Sequence, residues 1–129
     1  PTASLRIRCP DVDLVIERAS PWLSQTQQGD VLRIPMKHHD GCYCAPAPVI
    51  DELEAHGQVL LRYRSNPNGS VDAIACVTNR DGNVAGLMPH PEHAVESLLG
   101  STDGRVLLGG LLGLSLATLR PHAAPQAPA

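Results

Sequence analysis

Charged and apolar residues come close to alternating in "LRIRCPDVDLVIER" (residues 5–18), the pattern of a strand with one face buried. "VLRIPMKHHDG" (31–41) predicts a second strand over 31–38 that runs into a turn, and "QVLLRYR" (58–64) predicts a third. Between them, "PAPVIDELEAHG" (46–57) has the marks of a short helix, with Pro48 near its start and Gly57 at its end. "NPNGS" (66–70) is a turn, and "RDG" (80–82) between "DAIACVTN" and "NVAGLMP" predicts a hairpin of strands 73–78 and 83–88. "PEHAVESLLG" (91–100) predicts a helix closed by Gly100. "GRVLLGGLLGLSLATLR" (104–120) is apolar on all sides between Arg105 and Arg120, which predicts a buried terminal helix. It is shorter than the roughly 20 apolar residues a bilayer span needs. Gly109 and Gly113 make a small-xxx-small spacing, for which burial within the fold is a better account than a dimer face. The expected organisation is one domain over 1–120 and a disordered tail, "PHAAPQAPA", over 121–129.

Composition narrows the function classes. The 129 residues suffice for one buried core, and 43% hydrophobic with 18% charged residues suits a globular protein. A formal charge of -3 offers no field to gather nucleic acid or acidic lipid. Phenylalanine is absent and aromatics are 2%, so base-stacking platforms are excluded too, and neither nucleic acid nor a membrane is expected as a partner. Cys9, Cys42, Cys44 and Cys76 are too sparse for a secreted disulfide scaffold, and no apolar signal segment precedes them. A cytoplasmic, reduced protein is the expectation.

The stretch richest in candidate chemistry is "GLMPHPEHA" (86–94). Met88 and His90 each precede a proline, which drives their backbones toward the extended region. In an extended segment residues i and i+2 share a side, so His90 and Glu92 can sit together. A carboxylate bonded to one imidazole nitrogen selects the tautomer and leaves the other nitrogen free as a base. That is the base-plus-orienter half of a nucleophilic triad, and it needs a Ser or Cys from elsewhere. From spacing alone, the commoner reading is a partly exposed histidine beside an acid favoured by a helix N-terminus. His93 would be a helix-surface residue.

The surrounding residues change that balance. "VTNRDGNVAGLMPHPEHAVESLLGSTDG", together with "SLRIRC", "VLRIPMKHHDGCY" and "LRYRSNPNGSVDAIA", closely resembles the glutaminase subunits of phosphoribosylformylglycinamidine synthase, in the class I glutamine amidotransferase family. The resemblance runs from about residue 4 to about residue 112 and covers the family's second half. It implies an α/β, three-layer fold with a mixed sheet, of which this chain is the C-terminal part, and a Cys-His-Glu triad. His90 falls on the family's catalytic histidine and Glu92 on its glutamate. His38 and Gly41 fall in a loop that the family uses for substrate. The implied substrate is L-glutamine, whose ammonia passes to an ATP-dependent synthetase subunit accompanied by a small adaptor subunit, in purine biosynthesis. No cofactor is implied for this chain, since ATP and magnesium belong to the synthetase.

Two departures accompany the resemblance. The family's nucleophile lies in a Cys-Asn-Gly elbow, and that tripeptide does not occur among these residues. Cys9 precedes Pro10 in a strand, Cys76 sits in an apolar strand where an inert thiol is expected, and Cys42 and Cys44 lie in a loop. By itself the chain is therefore expected to be inactive, with its central parallel strands also outside it. The alternative is a diverged, non-catalytic chain that only binds the synthetase. The second departure is His39, a ring where the family has a glycine in its His-Gly-Glu-Gly turn. His38, His39, Asp40, Cys42 and Cys44 offer zinc-type donors, but consecutive residues rarely converge on one ion. The expectation is no metal and a polar turn with incidental thiols.

Overall fold

The computed structural model describes residues 10–37 and 41–113. Five strands form one sheet in the order β2-β1-β3-β4-β5: β1 Asp11–Ile16, β2 Val31–Pro35, β3 Val59–Tyr63, β4 Ile74–Thr78 and β5 Ala85–Leu87. Every pairing among these strands is antiparallel. The alternation seen in the sequence is realised in β1, where Val12, Leu14 and Ile16 are buried and the residues between them are more exposed. Leu32 and Ile34 of β2 continue the same apolar surface, joined by Leu23, Met36, Leu60, Leu61, Tyr63 and Cys76. A smaller cluster of Ile50, Val59 and Ile74 seats the first helix, α1 (Ala47–Ala55). Pro48 lies in its first turn, and Gly57 takes φ 67° just past its end, a conformation that glycine adopts without strain. The β4–β5 hairpin turns through Gly82 at φ 69°, with Asn79 Oδ1 accepting from the amides of Asn83 and Val84.

The second helix, α2, spans Gly104–Leu111 and packs Leu107 into the larger cluster. The expected burial is only partial over the described part: Leu107 is buried, while Leu111 and Leu112 are exposed. Two of its glycines, Gly104 and Gly110, make close approaches. A Cβ at residue 104 would overlap the backbone carbonyls of Pro91 and Ala94, and one at residue 110 would overlap the backbone of Trp22. The expected continuation to residue 120, the tail, Cys9 and the start of the first strand lie outside the described residues.

The expected helix over 91–100 is replaced by two single 3-10 turns, Pro91–His93 and Ser97–Leu99. The reason is where the carbonyls point. A helix would offer the Ala94 and Val95 carbonyls to amides four residues on. Instead Ala94 accepts from the Gly104 amide at 2.9 Å and Val95 from Arg105 Nε at 2.5 Å. Docking of α2 thus consumes the acceptors that a helix would have used. The same segment lies along β2. His90 donates its amide to the Pro35 carbonyl, Ser101 Oγ donates to the Arg33 carbonyl, and Asp103 accepts from the Arg33 amide, so this sheet edge is covered rather than raw.

Candidate functional site

His90 is placed by two constraints. Its backbone, at φ -104° and ψ 90°, is extended as the following proline demands, and its amide is tied to Pro35 at the end of β2. Pro91 then starts a 3-10 turn that carries Glu92 back toward the imidazole. The pairing foreseen from an extended i, i+2 spacing therefore arises at an extended-to-3-10 junction. His90 Nδ1 and Glu92 Oε1 are 2.7 Å apart.

The other ring nitrogen is not free. His90 Nε2 lies 3.2 Å from the Lys37 carbonyl. Both nitrogens thus face acceptors, an arrangement satisfied in full only by the doubly protonated imidazolium. For Nε2 to serve a nucleophile, it must exchange that carbonyl for the reacting group. The contact is long and exposed, so the exchange is inexpensive.

Two residues that sequence reasoning did not place here complete the corner. His93 Nε2 lies 3.6 Å from Glu92 Oε1, and its ring meets that of His90 edge-on with centroids 5.7 Å apart. Lys37 Nζ lies 3.1 Å from His93 Nδ1, which in the neutral ring accepts from the ammonium and leaves the proton on Nε2, toward Glu92. A 3-10 turn rather than a helix brings His93 round to Glu92, so its expected place on a helix surface is corrected. Lys37 carried no local signal, because its contacts join positions far apart in the chain.

Partial burial pushes the Glu92 carboxyl up. The hydrogen bond to His90, one to its own backbone amide, and the charges of His90 and His93 outweigh that, leaving it below the usual carboxylate range. It is therefore an anion wherever the imidazole needs one.

Of the other candidates, Gly41 accepts at its carbonyl from the Asn68 side-chain amide, which joins this loop to the 66–70 turn. His38 lies outside the described residues, with His39 and Asp40. Burial pushes the Cys76 thiol up to about 12, in keeping with an inert core sulfur. Cys42 and Cys44 are exposed and in contact with each other. Among the described residues, no thiol is hydrogen-bonded to His90.

This arrangement falls within a region matched by known proteins. The family described as CobB/CobQ-like glutamine amidotransferase domain matches residues 2–105. "Phosphoribosylformylglycinamidine synthase subunit PurQ" of Synechococcus elongatus is 50% identical over 109 residues, covering 84% of this chain and 49% of the relative. The protein of the same name from Mesorhizobium japonicum is 45% identical over 115 residues, covering 87% and 52%. Among solved structures, a chain of "PurLQS from Thermotoga maritima" superimposes with a TM-score of 0.73 at 40% identity, over 85% of this chain and 49% of that one. The chain spans about half the length of the curated relatives it matches.

Proposed function

The chain belongs to the CobB/CobQ-like glutamine amidotransferase family, on its PurQ branch, and from that premise we propose that His90 and Glu92 are the histidine and glutamate of a Cys-His-Glu glutaminase centre. The observation that carries this reading is the 2.7 Å contact between His90 Nδ1 and an ionised Glu92, inside the segment that the family matches. The thiol comes from residues other than the described ones.

In this centre Glu92 fixes the ring and stabilises its positive charge. A thiolate attacks the side-chain amide carbon of glutamine, and His90, as imidazolium, gives its Nε2 proton to the departing ammonia. Water, deprotonated by the same nitrogen, then cleaves the glutamyl thioester. The ammonia serves an ATP-dependent synthetase that converts formylglycinamide ribonucleotide to its amidine, with a small adaptor subunit in the same assembly. That the solved relative is a chain of PurLQS supports such an assembly. ATP and magnesium act in the synthetase, and His38 and Gly41 border the glutamine site.

The test replaces His90 by Ala in a complete subunit reconstituted with its synthetase. Glutamine-dependent synthesis is expected to fall by about 10²–10⁴-fold, the usual contribution of a general acid and base. Synthesis from added ammonium should persist, since that chemistry lies in the synthetase. Loss of both would instead favour a purely assembling role for this chain.

A further inference from the structure

Residues 41–45 belong to the connection between β2 and α1, and Tyr43 is their anchor. Its amide donates to Ser70 Oγ at 3.0 Å, its carbonyl accepts from the Val71 amide at 2.8 Å, and its side chain packs on the Ile50–Val59–Ile74 cluster. In a non-helical segment, the residues on either side of such an anchor project together, away from it. Cys42 and Cys44 do so: both are exposed, and their Sγ atoms lie 3.4 Å apart. The third described cysteine, Cys76, is buried on the wall of a cavity of about 260 Å³ that Cys42 also borders.

The geometry points to Cys42 and Cys44 as a dithiol modification site, which closes to an intraloop disulfide by exchange with small-molecule disulfides. This places a thiol-responsive element on the same connection that, at Lys37, faces the His90 ring. It holds whether or not the chain serves a glutaminase.

The exchange balances in two steps. One cysteine thiol gives up its proton, and the resulting thiolate attacks one sulfur of the small disulfide. That disulfide bond breaks, and the leaving thiolate takes the proton as free thiol. The remaining cysteine of the pair, deprotonated in turn, attacks the protein-bound sulfur and expels the second small thiol. The pair loses two electrons and two protons, and the small disulfide becomes two thiols. Cys42 is the attacking residue. Cys44 holds its proton more tightly than an ordinary thiol, because of the hydrogen bond and then the charge of the Cys42 sulfur, with a lesser push from burial. Because Tyr43 already fixes the two sulfurs in contact, the second step is intramolecular and preorganised. Burial withholds Cys76 from the exchange, its thiol being pushed up to about 12.

The experiment treats the full chain with oxidised glutathione, blocks residual thiols by acid-quenched alkylation, and reads intact mass and mapped peptides. The expected result is a species lighter by two hydrogens, with Cys42 joined to Cys44, that a dithiol reductant restores. Cys44→Ser should accumulate the glutathione adduct on Cys42 at several times the wild-type level, because the resolving thiol is gone. Stable adducts on both cysteines of the wild-type chain without the closed form would overturn the proposal. So would closure that pairs Cys42 with another cysteine, or an adduct level that Cys44→Ser leaves unchanged.

Discussion

The sheet interior and the His90 corner are held by different physics. Leu14, Ile34 and Leu61 are 0% exposed and owe their positions to close packing from every side. His90 and Glu92 are 38% and 54% exposed in their side chains and owe theirs to backbone hydrogen bonds and one charged contact. The first region supplies stability and tolerates no loss of volume. The second contributes little stability but needs a specific orientation. The β2 edge connects them, since its buried face belongs to the core while, at its end, Pro35 holds the His90 amide and Lys37 faces the imidazole.

Truncation of the interior should produce the largest loss of stability. Leu61→Ala is expected to cost about 2–5 kcal/mol in chemical denaturation, as fully buried leucines do. A cost near that of a surface substitution would mean that β3 is not the centre of the core. Gly104→Ala probes the join between the two regions. Its Cβ would meet the backbone carbonyls of Pro91 and Ala94, which cannot step aside as a side chain would. A cost of about 1–3 kcal/mol is expected, with a displaced His90 ring resonance reporting that the 91–93 turn has moved. An unchanged resonance would show that the turn is fixed independently of α2.

His90→Gln should lie within about 0.5 kcal/mol of the parent in the same denaturation experiment, as exposed positions usually do. A larger loss would assign the histidine a structural role and erase the contrast between the regions. The smallest effect concerns pH. Because the folded Glu92 carboxyl titrates below its unfolded counterpart, its contribution is present above the ordinary carboxylate range and is lost as pH falls through the lowered value. Solvent screening of so exposed a pair keeps that contribution below about 1 kcal/mol. Glu92→Gln should remove this component from the acid side of the stability profile, and an identical profile would contradict the assignment.

Much of this was legible in the sequence because it depends on local pattern. The alternation in β1, the apolar run of β3, the Asn79–Val84 turn and Pro48 with Gly57 around α1 each carry their cause within a few residues. The His90–Glu92 pair was legible for the same reason, through prolines that act on their immediate neighbours. The α/β fold of class I glutamine amidotransferases followed from the resemblance and agrees with the solved PurLQS relative. What local pattern could not show was competition between distant segments. Residues 91–100 have a helical sequence, yet Gly104 and Arg105 take the carbonyls that a helix requires. Nothing near Lys37 announces a contact with His93, and nothing in the spacing of Cys42 and Cys44 shows that Tyr43 turns their sulfurs to face each other.

The central claim, that His90 and Glu92 serve a thiol outside the described residues, is tested most directly by covalent trapping. A chloroketone analogue of glutamine would be applied to a chimera carrying the N-terminal half of the Synechococcus elongatus relative ahead of Pro1. The account predicts one glutamine-protectable label on a cysteine of that added half, lost when His90 is replaced by Ala. A glutamine-protectable label on Cys42, Cys44 or Cys76, or labelling of the added half that ignores the His90 substitution, would contradict it.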